Sequence, residues 1–158
     1  MSYSGNSPIY WSFSGPDSWR MCVPQASSAF VADAELIAEL EKRAESVAVG
    51  RGRILFRQGY EPDGVYIVRR GTANLISKSD GDAVLKVRAG AGSLLGVPAV
   101  VGAKPYSLTA EAMEGAEISV LSCEDFIKLM HTEPSLAFRV LQVLAEEVRF
   151  ARESLSHL

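Results

Sequence analysis

Between Val49 and Leu121 the apolar residues recur at every second position. Ile54 and Phe56, Tyr66 and Val68, Ala73 and Leu75, Leu85 and Val87, and Ile118 and Val120 are same-face pairs. A period of two marks short strands with one face turned inward. Gly59, Gly64, Gly71, Gly81 and Gly90 fall between these pairs, where turns call for positive φ. Ser79-Asp80-Gly81-Asp82 carries the residues of a tight hairpin. Many short strands broken by regular turns predict a barrel or double-sheet jelly roll, with the usual jelly-roll number of eight strands.

On both sides of this region the period becomes helical. From Asp33 to Val47, Leu36, Ile37, Leu40 and Ala44 share a face opposite Glu35, Glu39, Lys42 and Arg43, with Asp33 as N-cap. A short helix is expected over Glu124 to His131, and Pro134 opens a longer one. In that last helix Ala137, Leu141, Leu144, Val148, Ala151, Leu155 and Leu158 follow one another at steps of 4 and 3. A stripe that faces a globular core drifts with the 3.6 period, whereas this seam holds 3.5. It predicts a parallel homodimer through these seven residues. Leu136, Val140 and Val143 form a second apolar edge, placed to pack back on the strands.

Composition narrows the class. A chain of 158 residues fits one domain with a real core, and 47% hydrophobic against 22% charged residues is ordinary for a globular protein. Residues 1–26 are read as an irregular segment, rich in Ser, Gly and Pro but holding Tyr3, Tyr10, Trp11, Phe13 and Trp19. Residues 27–158 form the domain, with the long helix over about 134–158. Sixteen basic against 19 acidic residues give a net charge of −3, which offers no footprint for nucleic acid. No apolar run is long enough to span a membrane, and the N-terminus lacks the basic start and apolar stretch of a secretory signal. Cys22 and Cys123 are too few for an iron–sulfur cluster and read as reduced thiols of a cytoplasmic protein.

Two stretches carry a family resemblance: GRILFRQGYEPDGVYIVRRGTANLI (Gly52 to Ile76) and GSLLGVPAVVGAKPYSLTA (Gly92 to Ala110). Together they resemble the sensor domain of Crp/Fnr-type bacterial regulators, the cyclic-nucleotide-binding jelly roll. The resemblance implies a mainly β fold with flanking helices, a double-stranded β-helix or jelly roll, ending in a long dimerisation helix. In that family the second stretch is the phosphate-binding cassette. Gly92, Leu94, Leu95, Gly96, Ala99, Val100, Pro105, Ser107, Thr109 and Ala110 keep its frame. Val97 stands where the family places a ribose-binding Glu, and Tyr106 where it places a phosphate-binding Arg. Ala151 and Arg152 fall at the family's adenine-reading Thr-Ser pair.

The candidate ligand positions are therefore a degenerate cassette: Leu95, Gly96, Val97, Pro98, Ala99, Tyr106, Ser107 and Leu108. Without the Arg, an anion drawn into an apolar roll has no counter-charge, a loss that one tyrosine hydrogen bond does not cover. Lys104 and Arg152 are the only residues placed to substitute. The expected pocket is apolar, lined by Leu94, Leu95, Val97, Val100, Tyr106 and Leu108, and either empty or holding a small uncharged effector.

No catalytic, metal-binding or cofactor residues are expected. The two histidines, His131 and His157, both lie in the helical C-terminal part, which excludes a metal-binding roll of the cupin type. Glu124 and Asp125 next to Cys123 argue against a reactive thiol. The function expected is a non-enzymatic, homodimeric ligand-sensing or regulatory module that does not bind cyclic AMP or cyclic GMP in the usual way. One alternative is a structural or interaction domain partnering full-length Crp/Fnr regulators. Another is the sensor fragment of a transcription regulator, since the family's helix-turn-helix follows this helix and the sequence stops at Leu158. No DNA binding is expected of the chain alone.

Overall fold

The computed structural model describes residues 26–27 and 30–155. The aromatic segment expected before residue 26, together with Cys22, His157 and Leu158, lies outside them. In chain order the elements are β1 (Ala26–Ser27), α1 (Ala34–Glu41), β2 (Glu45–Val47), β3 (Gly52–Phe56), β4 (Gly64–Arg70), β5 (Ala73–Ser79) and β6 (Asp82–Ala89). There follow β7 (Leu94–Leu95), α2 (Val97–Gly102), β8 (Thr109–Met113), β9 (Glu117–Ser122), α3 (Cys123–Thr132) and α4 (Pro134–Leu155).

The strands form two sheets, ordered β1-β6-β5-β8-β3 and β2-β9-β4-β7. Every pairing is antiparallel except that of β1, which adds to the edge of β6 in parallel. β2 to β9 are the eight strands expected of the roll, and β1 is an addition from the segment before α1. The fold is the mainly β jelly roll with flanking helices that the alternation and the resemblance both implied.

Strand β4 shows how the alternation sorts side chains. Tyr66 and Val68 point into the roll, where they meet Phe56, Leu75, Val87, Leu95 and Ile118. Val65 and Ile67 point the other way, into a second core with α1, α2, α3 and α4. Both faces of β4 are covered, so its sequence reads as a continuous apolar run. The hairpin at 79–82 closes on Asp80 and Gly81, with φ of 55° and 85°, the left-handed pair that a two-residue hairpin of right-handed twist demands.

Helix α1 is shorter than its periodicity predicts. Asp33 caps it, its carboxylate accepting from the Leu36 N–H at 2.8 Å, but the helix ends at Glu41. Residues 45–47 instead pair with β9 and extend the four-stranded sheet, so sheet hydrogen bonds override the amphipathic continuation. Of the five glycines placed in turns, Gly59, Gly71 and Gly81 take positive φ. Gly64 opens β4 for another reason: a Cβ there would meet the Leu121 carbonyl at 2.5 Å.

Candidate functional site

The cassette is a strand, a turn, one short helix and a return. Leu94 and Leu95 pair with Ile67 and Tyr66, Gly96 turns the chain at φ 90°, and α2 follows with Pro98 in its first turn. Ala103 ends α2 at φ 54°. The chain then returns beside the β3–β4 loop. The Gly59 N–H donates to the Tyr106 carbonyl at 2.8 Å, and the Tyr106 N–H donates to the Tyr60 carbonyl at 2.9 Å.

These two bonds aim the Tyr106 side chain inward, where 3% of the residue remains exposed. Its ring stacks on Phe56 with centroids 3.9 Å apart and planes 17° apart. Its hydroxyl lies 2.8 Å from Asp63 Oδ1 and 2.9 Å from the Gly64 carbonyl, and accepts from the N–H groups of Asp63 at 3.0 Å and Gly64 at 3.2 Å. Tyr66 donates to the same Asp63 carboxylate at 3.2 Å. Burial first, and then Asp63, hold both phenols protonated: Tyr66 is pushed up to about 12, and Tyr106 higher still. The hydroxyl at the family's arginine position is thus spent on the loop, and the ring is left to the cavity.

Gly96 makes that arrangement possible. A Cβ there would stand 3.0 Å from Tyr106 Cε1 and 3.3 Å from the Gly64 carbonyl oxygen.

Inside the cassette is a cavity of about 40 Å³, lined by Phe30, Phe56, Leu75, Leu95, Gly96, Pro98, Ala99, Tyr106, Ser107, Leu108 and Glu147. That is room for a water or two, far below the several hundred Å³ of a pocket for a drug-sized ligand. Among the described residues, its one acidic or basic lining group is a carboxyl. Glu147 reaches in from α4 with Oε2 buried and without a hydrogen-bond partner, and burial pushes its pKa up to about 8. Phe30 and Phe150 meet edge to face beside it, centroids 6.1 Å apart. Arg57 lines a different, open groove of about 220 Å³ that shares Phe56 and Tyr106 as walls.

The structure brings together seven of the eight cassette positions named from sequence: Leu95, Gly96, Pro98, Ala99, Tyr106, Ser107 and Leu108. Val97 is a correction. With Leu94 and Val100 it faces the second core, against Leu36, Ile67 and Phe126, because α2 turns that side toward α3 and β4. Lys104 and Arg152 do not line the cavity either. Lys104 is exposed in the turn after α2, and Arg152 is exposed on α4, beyond the contact that Phe150 makes. Glu147, Phe30 and Asp63 were not singled out from sequence. A signal for Glu147 existed: continuing the edge Leu136, Val140, Val143 by the same steps reaches Glu147 and Phe150.

On the outward side of α4, Leu141 is 59% exposed and Val148 50%, with Phe138 beside them at 61%. Ala151 is also exposed, while Ala137 and Leu144 are partly covered. The Leu155 side chain lies outside the described residues. Cys123 is free, its thiol donating to the Pro62 carbonyl at 3.3 Å. Its pKa is raised by burial and by Asp63 rather than by the neighbours named from sequence. Among the described residues no group of His, Cys, Asp and Glu could hold a metal, and no helix is long and apolar enough to cross a membrane.

The family pattern described as cyclic nucleotide-binding domain matches residues 46–133. The chain belongs to that family. Solved structures with this roll include the Thermus thermophilus catabolite activator protein, with a TM-score of 0.68 and 24% identity, covering 78% of this chain and 59% of that one. Oxidized CprK, in complex with o-chlorophenolacetic acid, has a TM-score of 0.65 and 19% identity, covering 81% of this chain and 53% of that one. Both likenesses are of fold. Among curated proteins, patatin-like phospholipase domain-containing protein 7 of Rattus norvegicus is 26% identical over 113 residues, 71% of this chain. The chain spans only 8% of that relative's length. In this domain Tyr106 is tied to Asp63, and among the described residues the charged side chain lining the cassette cavity is the Glu147 carboxyl.

Proposed function

We propose that the chain is a non-enzymatic regulatory module that responds to a small molecule other than a cyclic nucleotide, and that it works as a homodimer through α4. The observation that carries this reading is the cassette cavity, which holds a buried carboxyl and no basic side chain among the described residues. A cyclic phosphate there would find no counter-charge in a low dielectric, and desolvation would go uncompensated. The reading is supported by α4 itself, which contributes Glu147 to the cavity and presents Leu141 and Val148 to the outside. CprK, which shares the fold, was solved in complex with o-chlorophenolacetic acid, a small molecule that is not a cyclic nucleotide.

Thermal melting of the full chain against a panel of small molecules tests this reading. Some uncharged or cationic compounds raise Tm, and cyclic AMP and cyclic GMP leave it unchanged. Stabilisation by the cyclic nucleotides alone contradicts it.

A further inference from the structure

The stripe of α4 that meets the roll runs Leu136, Val140, Val143, Glu147 and Phe150. Its four apolar members are buried. Glu147 takes the step between Val143 and Phe150, where a leucine or glutamine would suit the helix equally well. Its buried Oε2 has no partner, and among the described residues no Lys, Arg or His lines the cavity it faces. An unpaired carboxyl in apolar surroundings costs stability and has no structural return at this position.

We propose that Glu147 is a ligand-recognising carboxyl, and that the cassette cavity takes a compact, flat organic cation with one or two N–H donors, such as a protonated heterocyclic amine or an amidinium. The proposal rests on the reading of the chain as a ligand-responsive module and names the ligand class for the same cavity.

Three features select this chemistry. Among the described residues Glu147 is the one acidic or basic side chain lining the cavity, so its complement is a cation or a shared proton rather than a phosphate. The buried Oε2 has no partner, and a carboxylate edge matches a ring nitrogen or amidinium with one or two donors better than an ammonium with three donors to satisfy. The walls include the rings of Phe30, Phe56 and Tyr106, which suit a flat cation through their faces and edges. The cavity of about 40 Å³ is smaller than such a ring needs. Entry therefore displaces α4, which carries Glu147, and with it the exposed face at Leu141 and Val148.

The test is a titration of the full chain, carrying labelled Ala and Leu methyls, with 2-aminopyridine and with its uncharged isostere aniline. The expected result is saturable shifts at Leu95, Ala99 and Leu108 with 2-aminopyridine, and affinity for aniline lower by about tenfold or more. Glu147→Gln, with an otherwise unchanged spectrum, is expected to remove that preference. If aniline binds as well as 2-aminopyridine, the role given to Glu147 is overturned while a ligand-taking cavity stands. If neither compound shifts these methyls, the ligand-taking reading of the cavity falls with it.

Discussion

The Tyr106 hydroxyl engages Asp63 twice, lying 2.8 Å from its carboxylate and accepting from its backbone N–H at 3.0 Å. One side chain so closes the gap between the cassette and the β3–β4 loop, and it satisfies the N–H of Asp63 and the buried N–H of Gly64. Tyr106→Phe keeps the stack on Phe56 but removes the acceptor of the buried Gly64 N–H and one partner of Asp63. The expected loss is about 1–3 kcal/mol in urea unfolding, the range for unsatisfied buried polar groups. Unchanged stability would show that water replaces the hydroxyl at no cost.

Glu147 gives the fold a pH dependence of defined sign. Its pKa rises from 4.5 to about 8 on folding, and burial is the cause. The groups facing it across the cavity, Tyr106 and Ser107, are uncharged over this range. A raised acid binds its proton more tightly in the folded state, so its contribution is fully present below pH 4.5. That contribution declines as the pH rises and is lost above about 8. Glu147→Gln is expected to match the wild type near pH 4 and to exceed it above pH 8, by as much as about 4 kcal/mol. Unfolding curves of both proteins across that range check the difference, which cancels the other titrating groups. A constant offset with pH would mean that the carboxyl is solvated.

Gly96→Ala tests the turn into α2. The backbone there is left-handed, and the added Cβ would press on Tyr106 and the Gly64 carbonyl. A loss of about 1–3 kcal/mol is expected, since neither the turn nor the anchored ring can yield freely. The same substitution at Gly81, where no atom lies within 4 Å of the new Cβ, carries only the backbone strain and is expected to cost less. Equal losses at the two sites would remove the steric role of Tyr106.

The outward seam of α4 makes a prediction about assembly. Val148→Glu and Leu141→Glu both fall on exposed positions, so folding stability is expected to stay within about 0.5 kcal/mol. Sedimentation equilibrium at micromolar concentration is expected to show a dimer for the wild type and a monomer for either variant. A monomeric wild type would mean that the 3.5-residue seam is not an interface.

Most of the fold was legible in the sequence because burial repeats along it. Tyr66 and Val68 mark the inner face of β4, Asp80-Gly81 the hairpin, and Leu36 and Leu40 the buried face of α1. The end of α1 was not legible, because residues 45–47 take their hydrogen bonds from β9, some 70 residues away in the chain. In the site, the cassette frame was readable position by position, but direction was not. Val97 lies beside Pro98 and Ala99 in sequence yet faces the opposite core, since a short helix turns neighbours apart. Asp63 could not be tied to Tyr106 without the roll that brings residues 43 positions apart together. Glu147 was within reach, as the charged break in an otherwise apolar heptad edge.

With Tyr106 closing the cassette and Glu147 facing it, this cyclic nucleotide-binding domain is expected to refuse a cyclic phosphate. Isothermal titration of the full chain with cyclic AMP at pH 7 tests it most directly. No saturable heat is expected, with any Kd weaker than about 1 mM. Saturable binding tighter than about 10 μM would contradict it, because a phosphate would then be held in a cavity with no basic side chain to receive it.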